Sequence, residues 1–148
     1  MTATFADYVA QQDARNTIQL NVTKWCYILI DALKQNYTDY AIRGHQRSIA
    51  IHGTQVDYHQ QRIDELKSGD CSIDYVIESG KKYHKIILVD GGGSRSVHAF
   101  VDKQTGSVLK SASWKTPAKG ERYNLLIIKD REWLFENADW SGGYLYRR

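Results

Sequence analysis

The chain has 148 residues, of which 42% are hydrophobic, with one proline, two cysteines and a formal net charge of +3. This length fits one self-sufficient domain, which we predict over residues 1–148. Cys26 and Cys71 lie far apart and outside any metal-ligand spacing, which argues against a metal site or a disulfide framework. No apolar stretch reaches membrane-spanning length and no signal peptide is recognisable, so we expect a cytoplasmic protein without membrane contact.

The first third of the chain is predicted to be helical. Phe5, Tyr8 and Val9 recur at helical spacing. A stronger i, i+3, i+4, i+7 stripe follows and predicts a second, well-buried helix; it consists of Val22, Trp25, Cys26, Leu29, Ala32 and Leu33. Residues 36–39 are predicted to end that helix, because they are polar turn formers.

The next segment is predicted to change structure twice. Residues 47–52 have the pattern of a short strand, and Thr54 is placed to cap a further helix that ends near Gly69. Residues 1–80 carry seven basic and ten acidic groups. An acidic balance with an apolar stripe suits packing or oligomerisation better than anion binding, so we predict that residues 1–69 form a helical, oligomerising half.

A period of two residues replaces the helical period after Asp70 and predicts an antiparallel meander. Glycine-containing turns separate its strands. The predicted strands are 74–77, 83–89, 96–103, 107–114 and a continuation over 123–128, and a short helix follows over 130–137. The fold class is therefore α+β, with N-terminal helices, an antiparallel sheet over residues 70–148 and a short C-terminal helix.

Strand alternation assigns two faces to the third strand. Val97, Ala99 and Val101 share one face, which suits a core. His98, Phe100 and Asp102 share the other, and a buried face would rarely accept all three side chains. The second face is therefore predicted to be open for ligand contact.

The meander is strongly basic. Between Lys81 and Arg122 there are nine Lys or Arg residues and three acidic ones, a net charge of +6. Such a field attracts anions, and interleaved aromatic rings offer surfaces on which a base could stack. The candidate ligand-binding residues are Arg95, Lys115, Lys119 and Arg122 for phosphates, Phe100, Trp114 and Tyr123 for stacking, and Asn124 and His98 for polar contacts.

Several motifs have two interpretations. The loop from Asp90 to Ser94 follows a strand, but it leads into another strand, so it is either a plain hairpin loop or a phosphate-contacting one. Asp90 and Asp102 flank it and could bind a cation or simply cap turns.

A row of three histidines at positions 45, 52 and 59 is spaced too widely for one metal ion. No nucleophile with a recognisable signature accompanies His98, so we predict no catalytic residues, no metal and no cofactor.

Four segments of the meander resemble a family of small proteins that recur in tailed bacteriophages. They are KKYHKI at 81–86, GSRSVHAFVD at 93–102, TGSVLKSASWKTPAK at 105–119 and RYN at 122–124. In length and in its plan of helices followed by a sheet, the chain is similar to the Thoeris anti-defence sponges, which sequester the cyclic ADP-ribose signal of bacterial TIR-domain proteins. The resemblance implies an oligomer built from dimers, sites shared between protomers and capture without cleavage in the infected host.

The sequence thus predicts a non-enzymatic phage protein that sequesters a nucleotide-derived signal of the cyclic ADP-ribose type, with cyclic oligonucleotides as further candidates. A nucleic-acid-binding protein is the competing interpretation, because basic strands with exposed aromatic residues suit that ligand as well. A protein that inhibits a host enzyme by direct contact is a third.

Overall fold

A computed structural model describes residues 4–146. Three α-helices and five strands follow one another, and a 3₁₀ helix ends the described chain. In order, they are α1 (Phe5–His52), α2 (Val56–Lys67), β1 (Asp74–Ser79), β2 (Tyr83–Val89), β3 (Arg95–Asp102), β4 (Ser107–Leu109), β5 (Tyr123–Asn124), α3 (Ile128–Asn137) and the 3₁₀ helix (Gly143–Tyr146). The predicted α+β class, with helices first, an antiparallel sheet and a short C-terminal helix, is confirmed.

Helix α1 is continuous over 48 residues, which corresponds to about 72 Å. It begins at a capping box between Thr4 and Asp7 and ends at Gly53, whose φ of 63° is left-handed. The predicted break at residues 36–39 is wrong. The side-chain oxygen of Asn36 accepts a hydrogen bond from the backbone N–H of Trp140 (3.0 Å), so this polar residue serves a long-range contact and the helix runs on.

The predicted strand over residues 47–52 is also wrong, because these residues form the last turns of α1. The connection to α2 reverses the chain within three residues. Gln55 precedes α2 with a left-handed φ of 53° and makes no side-chain cap, so the capping role predicted for Thr54 is not observed either. Ile63 and Leu66 are the buried residues of α2, which packs against α1.

The five strands form one antiparallel sheet in the order of the sequence. The second predicted strand has the observed bounds, and the first and third differ by no more than two residues. The fourth is much shorter than predicted. After Leu109 the chain leaves the sheet and folds into a loop that the Ser111–Pro117 bridge closes. The strand predicted over 123–128 contains only Tyr123 and Asn124, and its remainder leads into α3.

A β-bulge in β3 changes which residues share a face. Ile86 pairs with Ala99 and Ile87 pairs with Val97, so His98 is an extra residue without a partner. Strand alternation restarts there, which puts Val97 on the face of Phe100. We call this the outer face, and the face that packs on α1 the core face.

The hydrophobic core lies between the helices and the core face of the sheet. It joins the α1 stripe to strand and C-terminal residues, among them Val22, Cys26, Leu29, Leu33, Ile86, Ala99, Val101, Leu125 and Leu134. The stripe is thus covered within one protomer and is not available to a second copy. Cys26 is fully buried, which raises the pKa of its thiol to about 12, whereas Cys71 is partly exposed.

No helix within residues 4–146 is long and apolar enough to cross a membrane.

Candidate ligand-binding face

The nine predicted site residues fall into two groups. Arg95, Phe100, Trp114 and Lys115 lie on the outer face of the sheet or in the loop beside it. The others lie around β5 and on the core face; they are His98, Lys119, Arg122, Tyr123 and Asn124.

Lys85 of β2 is at the centre of the first group. Its Nζ lies 4.6 Å from the ring centroid of Trp114 and 5.8 Å from that of Phe100. Arg95 contributes a second cation, with Cζ 5.7 Å from the Trp114 centroid. Tyr83 packs edge-to-face on Phe100 at 5.8 Å. We name these five residues the basic aromatic face; its cations are positioned by cross-strand packing and attracted by the rings.

Phe100 does not stand on an open surface, contrary to the sequence-based expectation. Its side chain is only 2% exposed. The outer face is closed over it by Tyr83 and Lys85, so Phe100 forms the floor of the basic aromatic face. Trp114, which is 42% exposed, is the ring with a face accessible to a ligand.

A cleft of about 290 Å³ opens beside this face, at the β1–β2 turn. Four lysines contribute to its lining, and Glu78 is the acidic residue there. The lining residues are Glu78, Ser79, Gly80, Lys81, Lys82, Tyr83, Lys85, Phe100 and Lys115. The cleft therefore has an excess of three positive charges, which suits a phosphate-bearing ligand.

The loop that carries Trp114 and Lys115 is held by its own hydrogen bonds. The Oγ of Ser113 accepts from the backbone N–H groups of Lys115 and Thr116 and bonds to the Thr116 hydroxyl at 2.8 Å. Backbone N–H groups of Ala112 and Ser113 donate to the carbonyl of Thr116. This compact turn positions Trp114 in the basic aromatic face and Lys115 beside it.

Arg95 also has a protein partner. Its guanidinium donates to Glu78 across 2.5 Å, with both side chains about half exposed. An exposed pair of this kind contributes little to stability. The guanidinium can therefore exchange Glu78 for a more highly charged anion.

Arg122 is engaged in backbone contacts. Its guanidinium donates to the carbonyls of Leu145 (2.9 Å), Lys119 (3.2 Å) and Gly120 (2.9 Å). These bonds tie the C-terminal segment to the loop before β5. Removing the side chain would leave those carbonyls without their donor, so Arg122→Ala would perturb the fold and is not a clean test of binding.

Tyr123 and Asn124 have structural partners as well. The Tyr123 ring stacks on Trp133 (5.0 Å, 14°), and its hydroxyl donates to the carbonyl of Tyr144. The Asn124 side chain accepts from the N–H of Leu126 and donates to Glu121. Tyr123 thus holds β5 against the C-terminal segment, and Asn124 fixes the chain on either side of β5.

The bulge places His98 on the core face, apart from Phe100. Its Nε2 lies 2.7 Å from the hydroxyl of Tyr144, and its ring packs edge-to-face on Tyr75 at 5.5 Å. Burial lowers the pKa of His98 to about 4, although Asp139 acts in the opposite direction. The imidazole is therefore neutral at physiological pH and offers no charge to an anionic ligand.

The Asp90–Ser94 loop closes on itself. The carboxylate of Asp90 accepts from the backbone N–H groups of Gly92 (2.9 Å) and Ser94 (3.0 Å). These amides are already bonded to a negative charge, which favours the plain hairpin interpretation. Asp102 likewise accepts from Gln104 and Thr105, so both carboxylates act as turn caps. Within residues 4–146 no three His, Cys, Asp or Glu side chains cluster as a metal site would require.

Sequence reasoning missed an arrangement around His84. Thr23 donates its hydroxyl proton to the carbonyl of Gln19, so it accepts from His84 Nε2 at 3.1 Å. The Nδ1 atom is then an acceptor for the Ser79 hydroxyl at 2.7 Å. A serine thus donates to a histidine that a third residue orients, and Ser79 lines the basic cleft. The cross-strand pairing of the two residues was not visible without the register.

Fold and site together define a small α+β protein with one basic, aromatic sheet face. The chain belongs to a family of unknown function, DUF7717, whose family model matches residues 5–147. Neither a curated protein nor a solved structure matches the chain.

Proposed function

We propose that the protein captures a nucleotide-derived signal of the cyclic ADP-ribose type at the basic aromatic face and holds it without cleavage. As a phage anti-defence protein, it would act in the cytoplasm of the infected bacterium. The observation that carries the proposal is the position of Lys85 between Phe100 and Trp114, at the edge of a cleft lined by further lysines.

The chemistry of the face matches the parts of such a ligand. A diphosphate would lie among the lysines of the cleft, and a base would stack on the exposed side of Trp114. A volume of about 290 Å³ is just below the usual range for ligand sites. The ligand would therefore extend from the cleft over Trp114, or a second protomer would complete the site, as the resemblance to the sponges implies.

Capture without cleavage requires that the Ser79–His84 pair be inert. A serine attack would leave a proton on His84, but Thr23 supplies no negative charge to stabilise an imidazolium. Burial and the charge of Lys103 both lower the pKa of His84, which further disfavours that cation.

We expect an active-site fluorophosphonate to leave Ser79 unmodified and bound ligand to be recovered intact. Labelling of Ser79, abolished in His84→Gln, would identify a hydrolase instead.

The test of capture is mass spectrometry of small molecules that heat releases from the protein after exposure to lysate of infected, TIR-active cells. Lys85→Met keeps the aliphatic stem over Phe100 and removes the charge. It should lower retention at least tenfold, because a phosphate contact is lost. Lys129→Met on α3 removes the same charge elsewhere and should retain the ligand. Equal retention by both variants would place the site elsewhere on the molecule.

Nucleic-acid binding is the competing function, and the exposed Trp114 with surrounding lysines favours it. Binding along a strand releases many counterions, so affinity would fall steeply as salt rises. A ligand in a cleft makes few phosphate contacts and is less affected. Fluorescence anisotropy with labelled single-stranded DNA at 50 and 200 mM salt separates the two. An inhibitor of a host enzyme would bind neither ligand.

A further inference from the structure

A second cleft of about 370 Å³ lies in the helical half, where α2 folds back along the end of α1. It shares no residue with the basic aromatic face. Its lining includes Tyr40, Arg43, Gly44, His45, Arg47, Ser48 and His59. The cleft is thus lined by cationic, titratable and hydroxyl groups, although residues 1–80 as a whole are acidic.

Two histidines meet in this cleft. Nδ1 of His45 lies 2.8 Å from Nδ1 of His59, so one ring donates and the other accepts. Tyr58 packs edge-to-face on both rings, at 6.2 and 5.2 Å. The pair is therefore fixed by α2 and presents two imidazoles that share one proton.

Two arginines lie one turn apart on the same side of α1. Arg43 and Arg47 are at i and i+4, and both line the cleft. Within residues 4–146, neither forms an ion pair with a carboxylate. Arg62 of α2, which also lies near His45, is neutralised by Glu65 and Asp70. The cleft thus holds two guanidinium groups without compensating negative charge.

Gly44 is between these arginines, in the interior of a long helix. Glycine costs a helix interior about 1 kcal/mol relative to alanine. Packing does not explain it, because a Cβ at this position would have no heavy atom within 4 Å. The missing side chain leaves open space in the cleft next to the helix backbone.

We propose that this cleft is a second anion site, which binds a phosphate-type oxyanion between Arg43, Arg47 and the His45–His59 pair. Two guanidinium forks match the oxygens of such an anion, and Ser48 and Tyr40 supply hydroxyl groups. A transition-metal ion is disfavoured by the same arginines. The site is independent of the proposed function at the sheet.

Anion binding is coupled to protonation. His59, Arg62 and Tyr58 of α2 lie near His45, while Arg43, Arg47 and Tyr40 of its own helix line the same cleft. Partial burial, His59 and Arg62 lower the pKa of His45. A bound anion favours the imidazolium, so it raises that pKa, and by linkage the anion binds more tightly as pH falls through the histidine range.

Histidine Cε1–H NMR titrations with inorganic pyrophosphate, between pH 5 and 8, test the site at its own residues. His45→Asn and His59→Asn assign the signals. In the wild-type protein pyrophosphate should raise the apparent pKa of His45 by at least half a unit. Arg43→Gln/Arg47→Gln should abolish that rise, while Arg15→Gln, which removes a charge from the exposed start of α1, should preserve it.

Gly44→Leu separates binding from stability. The leucine should fill the cleft and abolish the response to pyrophosphate, while the better helix former leaves the melting temperature equal or higher. An unchanged His45 titration in the wild-type protein would refute the site. So would a wild-type response in the double arginine variant.

Discussion

At the residue scale, Phe100 is the side chain whose role changed most. It is buried under Tyr83 and Lys85 instead of standing open to a ligand. We expect Phe100→Ala to lower the free energy of unfolding by about 3–5 kcal/mol, the usual cost of truncating a buried phenylalanine.

Urea unfolding of Phe100→Ala and Phe100→Leu, each with a binding measurement, decides whether Phe100 is a buried packing residue or a ring that stacks on a ligand base. Phe100→Leu keeps most of the side-chain volume, so it should lower the free energy of unfolding less than Phe100→Ala does. An unchanged unfolding free energy together with lost binding would restore the stacking role.

His98 makes the fold sensitive to acid. Its pKa is about 4 in the folded protein and about 6.5 in an unfolded chain. The unfolded chain therefore binds the proton first as pH falls. The neutral, buried His98 therefore makes its full contribution to the free energy of unfolding above pH 6.5. That contribution is lost as pH falls from 6.5 to 4, and it amounts to roughly 3 kcal/mol in total.

His98→Gln removes this titration and can keep a hydrogen bond to Tyr144. The difference in unfolding free energy between pH 7.5 and 4.5 should be smaller for the variant than for the wild-type protein. Identical pH profiles would mean that His98 is not the group responsible.

At the element scale, the β3–β4 turn depends on a glycine. Gly106 has a φ of 75°, and a Cβ there would lie 2.8 Å from Cγ of Leu126. Gly93, in the β2–β3 turn, has a φ of 86° but open space around it. Gly93→Ala should therefore cost only backbone strain, about 1–2 kcal/mol.

Gly106→Ala should cost more than Gly93→Ala, because the steric conflict with Leu126 adds to the strain. Thermal unfolding of the two variants tests this ordering. Equal losses would show that Leu126 moves aside freely.

The first three strands were predictable because their turns and alternation are local. The bounds of β2 follow from the periodic segment 83–89 between turn residues. The bulge was not predictable, since nothing local marks His98 as an extra residue; its position depends on the pairing of Ile86 and Ile87 across the sheet.

The helix through residues 36–39 was missed for a related reason. Asn36, Tyr37 and Tyr40 are poor local helix signals, but Trp140, at least a hundred positions away, contacts all three. Of the candidate site, the charge of the meander was visible in the sequence. The central role of Lys85 was not, because it requires the register that brings Phe100 opposite Lys85.

At the scale of the whole molecule, the start of α1 is the conspicuous surface. Residues 5–20 extend over about 24 Å of helix, and their apolar side chains are exposed, with Phe5 at 81% and Leu20 at 71%. A helix without tertiary packing is marginal in water. We therefore expect oligomerisation through this arm, and not through the stripe of Val22 and Leu29, which the sheet covers.

Sedimentation at micromolar concentration should show an oligomer for the wild-type protein. Phe5→Gln/Leu20→Gln should shift the population toward the monomer, whereas Asn16→Gln on the same arm should not. A monomeric wild-type protein would refute the expectation.

The two cysteines differ in exposure, and this difference can be used to measure how often the core opens. Only a thiolate reacts with alkylating reagents, and the thiol of Cys26 is buried with a pKa of about 12. Cys71 lies between α2 and β1 and is partly exposed, so we expect it to react in the native state and to serve as a single attachment point for a dye. Slow alkylation of Cys26 then counts how often the interface between α1 and the sheet opens, which reports the dynamics of the core without any introduced probe.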